Sequence, residues 1–281
     1  MNGFKGIQEL TRKYNELGVE LSLDWFKYNN YALVHHSTSI EGSTLSPEET
    51  ALLLDEDITA KGKPMLHHYM VKDHYNALLY VLEAAEQKAT INTDFICKVS
   101  AFVMNNTGGQ YNQVTGSFDA SKGELRLLNV TAGETRFPDF KKVPKLLKVF
   151  CNDLNKLLGT IKEPIDIYNA AYDAHFNLVS IHPFADGNGR ISRLIMNYVQ
   201  HRFNIPLTIV HTEDKADYYK SLVDTRAKKD INIFRNFMYR QHKKHLIQEI
   251  EKVQNANKKV DDVLRSEHNK NNGQGMSNMF F

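Results

Sequence analysis

Twelve residues near the middle of the chain, His182-Pro-Phe-Ala-Asp-Gly-Asn-Gly-Arg-Ile-Ser-Arg193, constrain the fold more than any other stretch. The run before them, Leu178-Val179-Ser180-Ile181, is apolar with one small polar residue and reads as buried structure leading into a site. After them, Arg190, Arg193, Leu194, Asn197 and Tyr198 recur at helical spacing, so a helix is expected from about Gly189 to Arg202. The chain must therefore pass from a buried segment, through the polar turn Asp186-Gly187-Asn188-Gly189, into a helix N-terminus.

A two-glycine loop that feeds a helix start is an anion cradle. Its backbone N–H groups converge without a Cβ in the way, and the helix dipole adds partial positive charge. Arg190 and Arg193 lie three apart, and both can reach phosphate oxygens at that end of the helix. Asp186 offers a hard oxygen ligand for Mg²⁺ on those phosphates. His182 has a near-neutral reference pKa and suits a general base. Each piece alone is most often a plain turn or a packed histidine; together they point to phosphoryl or nucleotidyl transfer.

This stretch resembles the signature of the Fic family, His-Pro-Phe-x-(Asp/Asn)-Gly-Asn-Gly-Arg-x-x-Arg, at all nine specified positions of twelve. The resemblance implies an all-α Fic fold with a single β-hairpin flap, and an enzyme that moves AMP from ATP onto a protein hydroxyl. By it, His182 deprotonates the hydroxyl, Asp186 holds Mg²⁺, Gly187, Asn188 and Gly189 line the anion hole, and Arg190 binds the outer phosphates.

A helix is expected from Asp24 to about Ile40, ending in Ser37-Thr-Ser-Ile-Glu41-Gly42 with Gly42 as the residue that stops it. A carboxylate at Glu41 is badly placed there, because it meets the negative end of the helix dipole. Ser37-x-x-x-Glu41-Gly42 resembles the Fic inhibitory motif, (Ser/Thr)-x-x-x-Glu-(Gly/Asn), in its N-terminal form. The resemblance implies that Glu41 pairs with Arg193 and denies that arginine to the γ-phosphate of ATP.

The rest of the chain is mostly helical by pattern. Ser46-Pro47-Glu48-Glu49 opens one helix as a capping box. Others are expected over 5–17, 65–87, 93–105, 140–158 and 166–181, and a further one begins at Asp217. Tyr218 and Tyr219 on that last helix correspond to residues that wall the adenine pocket in Fic proteins. His35, His36, His67, His68, His74 and His175 lack metal-type spacing and read as structural or surface groups.

Between 106 and 138 the character changes, and a lone β-hairpin is expected from about Leu125 to Phe137. Such a hairpin must rest on the helices, and an open edge can pair with an extended peptide. Resemblance makes it the flap on which a target protein docks. Upstream, Gly109-Gln110-Tyr111-Asn112 departs from the Gly-x-Tyr-Arg element common in the family, with Asn112 where the arginine stands.

With a net charge of +2 no global basic field argues for nucleic acid. The stretch 226–260, with ten Lys/Arg against three Asp/Glu, reads as the solvated face of long terminal helices. A regulator that binds nucleic acid through it is the rival of a different class. Cys97 and Cys151 read as buried thiols, and no apolar run of signal-peptide or membrane-spanning length occurs, so a cytoplasmic protein without membrane contact is expected. The expected organisation is an N-terminal helical segment with the inhibitory helix at 1–59, a Fic domain at 60–245, and a helix end with a disordered polar tail at 246–281. The favoured reaction is Mg²⁺-dependent protein adenylylation held off by Glu41, self-modification included. AMP removal or another nucleotide on the same site is the alternative, and self-association stays open.

Overall fold

The computed structural model describes residues 2–22 and 24–275. Helices dominate them: α1 (Asn2–Glu16), α2 (Trp25–Ile40), α3 (Pro47–Glu56), α4 (Met65–Glu86) and α5 (Thr93–Val103) precede the irregular region. After it come α6 (Val143–Leu158), α7 (Pro164–Ile181), α8 (Asn188–Arg202), α9 (Lys215–Lys228) and α10 (Ile231–Gly275). The start signals in the sequence work as expected. Ser46 and Glu49 close a full capping box on α3 with Pro47 in the first turn, and the Asn92 side chain accepts from Phe95 N (2.7 Å) to cap α5.

Contacts divide the chain into two units, Phe26–His242 and the remainder, Met1–Trp25 with Lys243–Phe281. In the smaller unit Tyr14 packs edge-on against Trp25, whose indole N–H donates to Glu249 Oε2 (3.1 Å). Ile7, Val19, Leu246 and Ile250 are buried there.

In the larger unit α8 is the axis, packed against α7, α4 and α5. Nearly every residue from Asn188 to Gln200 is buried, whichever way it points. A helix buried all round is usually apolar. Several of its polar residues have partners: Gln200, for one, donates to Thr208 Oγ1 (2.6 Å) and accepts from Thr208 N (3.0 Å). Such bonds offset the desolvation that burial costs.

Two antiparallel hairpins form among the described residues where one was expected. The expected one is short, β3 (Thr131–Ala132) with β4 (Thr135–Arg136), and residues 124–130 before it are irregular. The other pairs β1 (Gln110–Gln113) with β2 (Gly116–Asp119), with Tyr111 and Phe118 stacked face to face at 4.9 Å. Its strands are polar on the exposed face and lack the clear alternation that marks a strand in sequence.

The polar stretch from Glu267 to Gly275, expected to be disordered, continues α10. No proline interrupts it, and extending a helix is far easier than starting one. The terminal Met279-Phe280-Phe281 lies outside the described residues.

Candidate active site

The loop between α7 and α8 is built by its own side chains. His182 ends α7 in the left-handed conformation (φ 52°), its N–H donating to Leu178 O (3.0 Å). Asn188 then closes the turn on itself: its Oδ1 accepts from Phe184 N (3.0 Å) and its Nδ2 donates to Phe184 O (2.9 Å). Gly187 has φ 79°, and a Cβ there would lie 2.9 Å from Met104 Sδ, so a side chain is excluded twice over. Ile191 N–H is the first in α8 to find an intrahelical acceptor, Gly187 O (2.9 Å). The N–H groups of Asn188, Gly189 and Arg190 therefore make up the electropositive end of the helix.

The other end of the inhibitory motif meets that helix start. Glu41 Oε1 lies 2.7 Å from Arg193 Nη2, joining α2 to α8. A Cβ placed on Gly189 would come within 2.4 Å of the same carboxylate oxygen, so Glu41 rests directly on the first turn of α8. The position that looked unfavourable in sequence is resolved here. Glu41 follows the negative end of α2 but sits on the positive end of α8. Arg193 is engaged on all three nitrogens: Nε donates to Ser37 Oγ (2.8 Å), Nη2 also to Ser37 O (2.9 Å), and Nη1 to Tyr218 OH (3.4 Å). Its side chain is 4% exposed. Burial, the largest influence, lowers its pKa, but the Glu41 carboxylate together with Tyr218 and Tyr219 outweighs it and holds the guanidinium above its ordinary value.

A cavity of about 450 Å³ lies in front of this pair, within the range of small-molecule sites. Glu41, His182, Asp186, Asn188, Gly189, Tyr218 and Tyr219 line it. Leu222 and Val223 extend α9 along one wall, and Gly133, Thr135 and Phe137 of the flap region cover it. Tyr218 is buried and hydrogen-bonded to His175 Nε2 (3.0 Å), while Tyr219 is partly open to solvent.

The His182 imidazole is held under Phe137, ring on ring at 3.7 Å and 17°. Its Nδ1 lies 3.3 Å from Val179 O. A carbonyl only accepts, so Nδ1 carries the proton and Nε2 keeps its lone pair. Burial first, helped by the cations Arg126 and Arg226 and opposed by the Val179 bond and Asp186, lowers the His182 pKa to about 4. At neutral pH the ring is an uncharged proton acceptor.

His74 and His175 are likewise buried and pushed well below their ordinary value, by burial first and by nearby Arg193 second. The unfolded chain takes up these protons near pH 6.5 and the folded chain does not. Stability is therefore full above about pH 6.5 and is lost as the pH falls below it. We expect a lower Tm at pH 5 than at pH 7.5, with His182 alone costing about 2 kcal/mol at pH 5. A Tm unchanged between those two values would contradict the buried neutral histidines.

Arg190 is not where sequence reasoning put it. It is 1% exposed and does not line the cavity. Its guanidinium turns behind the loop, Nη1 to Val103 O (3.4 Å) and Nη2 to Met104 Sδ (3.3 Å), with Asp186 Oδ2 at 3.8 Å. Residues three apart on a helix are separated by about 60° of arc, and two long side chains can leave in opposite directions. Arg193 goes toward α2 and Arg190 toward α5.

Arg126 is the residue that sequence reasoning missed. Fully buried, it donates Nε to His182 O (2.8 Å), Nη1 to Leu128 O (2.6 Å) and Nη2 to Pro138 O (2.6 Å). It ties both ends of the flap segment to the turn that carries the imidazole. The signal was a charge inside the apolar run Leu125-Arg126-Leu127-Leu128, which stays buried only if paired. Arg126→Ala leaves three carbonyls without donors and is expected to cost about 3 kcal/mol or more, read as a shift of the urea midpoint. Arg126→Lys should restore only part of it, because an ammonium cannot reproduce the three-way fork. A midpoint unmoved by Arg126→Ala would remove this role.

His36, His211 and Glu213 bring their ligand atoms within 4.8 Å of one another, a grouping the sequence did not show. Thr212 N–H donates to His36 Nδ1 (3.1 Å), which occupies the lone pair a metal ion would need there.

A glycine loop on a helix start, a neutral histidine and a covered cavity thus meet in one candidate small-molecule site. Residues 90–200 match the Fic/DOC family, and the chain belongs to it. It is 28% identical over 221 residues to the protein adenylyltransferase fic-1 of Caenorhabditis elegans, covering 78% of this chain and 41% of that protein. It is 30% identical over 190 residues to the protein adenylyltransferase Fic of Nematostella vectensis, covering 67% and 42%. The chain thus spans about two fifths of the length of these relatives. The fold is that of a Fic domain containing signaling protein from Bacteroides thetaiotaomicron: TM-score 0.72 at 23% identity, covering 89% of this chain and 98% of that one. Residues 134–508 of C. elegans Fic-1 give 0.72 at 25% identity, covering 90% and 73%. Among the described residues no helix is long and apolar enough to cross a membrane.

Proposed function

We propose that this chain transfers AMP from ATP to a hydroxyl of a protein, and that Glu41 holds the reaction back. The observation that carries the reading is one cavity lined by both His182, with its Nε2 lone pair, and the α8 N-terminus. Phosphates are bound at such a helix end by backbone N–H groups already in place. The imidazole accepts the hydroxyl proton as the oxygen attacks the α-phosphate. Attack in line with the leaving pyrophosphate depends on how the phosphates are held, and positioning supplies much of the rate in such transfers.

Asp186 is the residue that would hold Mg²⁺. Its side chain is 65% exposed on the cavity, with Oδ1 accepting from Gly187 N (2.6 Å). A single open carboxylate beside a phosphate site fits an ion that keeps several waters. When bound, Mg²⁺ neutralises charge on the phosphates. Asp186→Ala is expected to lower the rate about tenfold or more and to flatten its response to Mg²⁺. An unchanged rate across a Mg²⁺ titration would take Asp186 out of that role.

Arg190 supports the loop from behind, and Arg193 is the arginine that meets the nucleotide once Glu41 leaves. Tyr219, Leu222 and Val223 offer the wall on which a base can rest. The flap at 131–136 offers the docking edge for the target. The inhibitory carboxylate and His182 share one cavity, which also favours a second reading, AMP removal with Glu41 orienting water. Both thiols are uncrosslinked, with burial pushing Cys97 up to about 11 and Cys151 up to about 12, which suits a reducing compartment such as the cytoplasm. Purified protein with Mg²⁺, cell lysate and labelled ATP, CTP, GTP or UTP in turn tests the reading. Label should pass to protein from ATP, and none passing from any of the four would contradict it.

A further inference from the structure

A second cleft, of about 510 Å³, opens on the far side of Arg226 from the active-site cavity, and Arg226 lines both. Its guanidinium stands over Phe137 (5.6 Å), the ring that covers His182, and over Phe176 (5.6 Å), with Nε 3.3 Å from Ser180 Oγ. It is therefore only one aromatic ring removed from the imidazole. Among the described residues no carboxylate lies within ion-pair distance of Arg226 or of Lys229, which lines the same cleft. The one acid in the cleft, Asp173, is held by Arg235, Nε to Oδ1 at 2.8 Å. Asn177, Ser180 and Thr225 complete the lining. Thr225 is 2% exposed, and its Oγ1 has no hydrogen-bond partner among the described residues.

Two cations without a carboxylate partner, lining a cleft one ring from the reacting group, describe a carboxylate receptor. We propose that this cleft receives an aspartate or glutamate side chain of the acceptor polypeptide, two residues from the hydroxyl that is modified. The offset follows from chain geometry. An extended segment advances about 7 Å in two residues and presents both side chains on one face. That span bridges the single ring between His182 and Arg226. The inference rests on the adenylyl-transfer reading above and adds what the target must carry.

The test uses the full chain with Glu41→Gly, ATP, Mg²⁺ and a peptide library prepared from a digested proteome. AMP-bearing peptides are sequenced by mass spectrometry. Asp and Glu should be enriched about fivefold or more at one position two residues from the modified hydroxyl. Arg226→Gln with Lys229→Gln should bring the enrichment down to library composition. Lys229→Glu, at an exposed position away from the ring stack, should shift it toward Lys and Arg. No acidic enrichment, or an enrichment that both variants leave unchanged, overturns the proposal. So does a protein that labels intact lysate proteins but no peptides, since a flanking residue would then not be what it reads. A Glu41→Gly protein that labels neither overturns adenylyl transfer itself, and the two failures are thereby told apart.

Discussion

Glu41→Gly protein is expected to incorporate AMP about tenfold faster or more than the parent chain, into itself and into targets. The physical reason is the 2.7 Å pair between Glu41 and Arg193 at the start of α8. In the resting chain the carboxylate occupies the electropositive helix end that the phosphates need, and it engages the guanidinium beside it. Removing it vacates both. A tenfold gain corresponds to only about 1.4 kcal/mol of lost competition, modest for a charge pair of which one member is buried. Arg193 stays in place, because Ser37 Oγ, Ser37 O and Tyr218 OH still accept from it. The same bonds limit the damage to stability. Breaking a buried pair costs about 3–5 kcal/mol, but Glu41 is 25% exposed and Arg193 keeps three acceptors, so about 1–3 kcal/mol is expected. Arg193→Ala in the Glu41→Gly background should reverse much of the gain. Equal or lower incorporation by folded Glu41→Gly protein would sink the inhibitory reading of Glu41.

His182→Ala is expected to lose transfer by about 10²–10⁴-fold while ATP affinity changes little. The imidazole is neutral near pH 7 and lies beside the phosphate cradle without forming it, so it contributes little to holding the nucleotide. Alanine at a φ of 52° is strained by about 1 kcal/mol, and Phe137 loses its stacking partner. His182→Asn, which tolerates that conformation, separates the chemical loss from the structural one. Both variants should bind ATP and both should be inactive. Either one transferring AMP at the parent rate would remove His182 as the base.

The site was legible in sequence where local chemistry decides it. The turn at 186–189 and the capping box at Ser46 were readable because few residue types satisfy those backbone requirements, whereas the Glu41–Arg193 pair was legible only through the resemblance of 37–42 and 182–193 to Fic motifs. Arg126 was not, because its acceptors are backbone carbonyls of distant residues, and carbonyls leave no trace in a sequence. Nor was the direction of Arg190, since helical spacing gives an azimuth for the Cβ but not the path of a long side chain. The burial of α8 on every face was hidden for a related reason. Its Asn, Gln and Arg residues look solvent-facing until their partners outside the helix are known. The β1–β2 hairpin escaped because its strands are four residues long and mostly polar.

The most direct test of the central claim follows which part of ATP reaches the protein. Glu41→Gly protein is incubated with Mg²⁺, lysate and ATP labelled at either the α- or the γ-phosphate, beside the Glu41→Gly/His182→Ala double variant. Adenylyl transfer puts the α-label on protein, leaves the γ-label in free pyrophosphate, and fails in the double variant. Label arriving from the γ-phosphate, or α-label arriving undiminished without His182, would contradict the account.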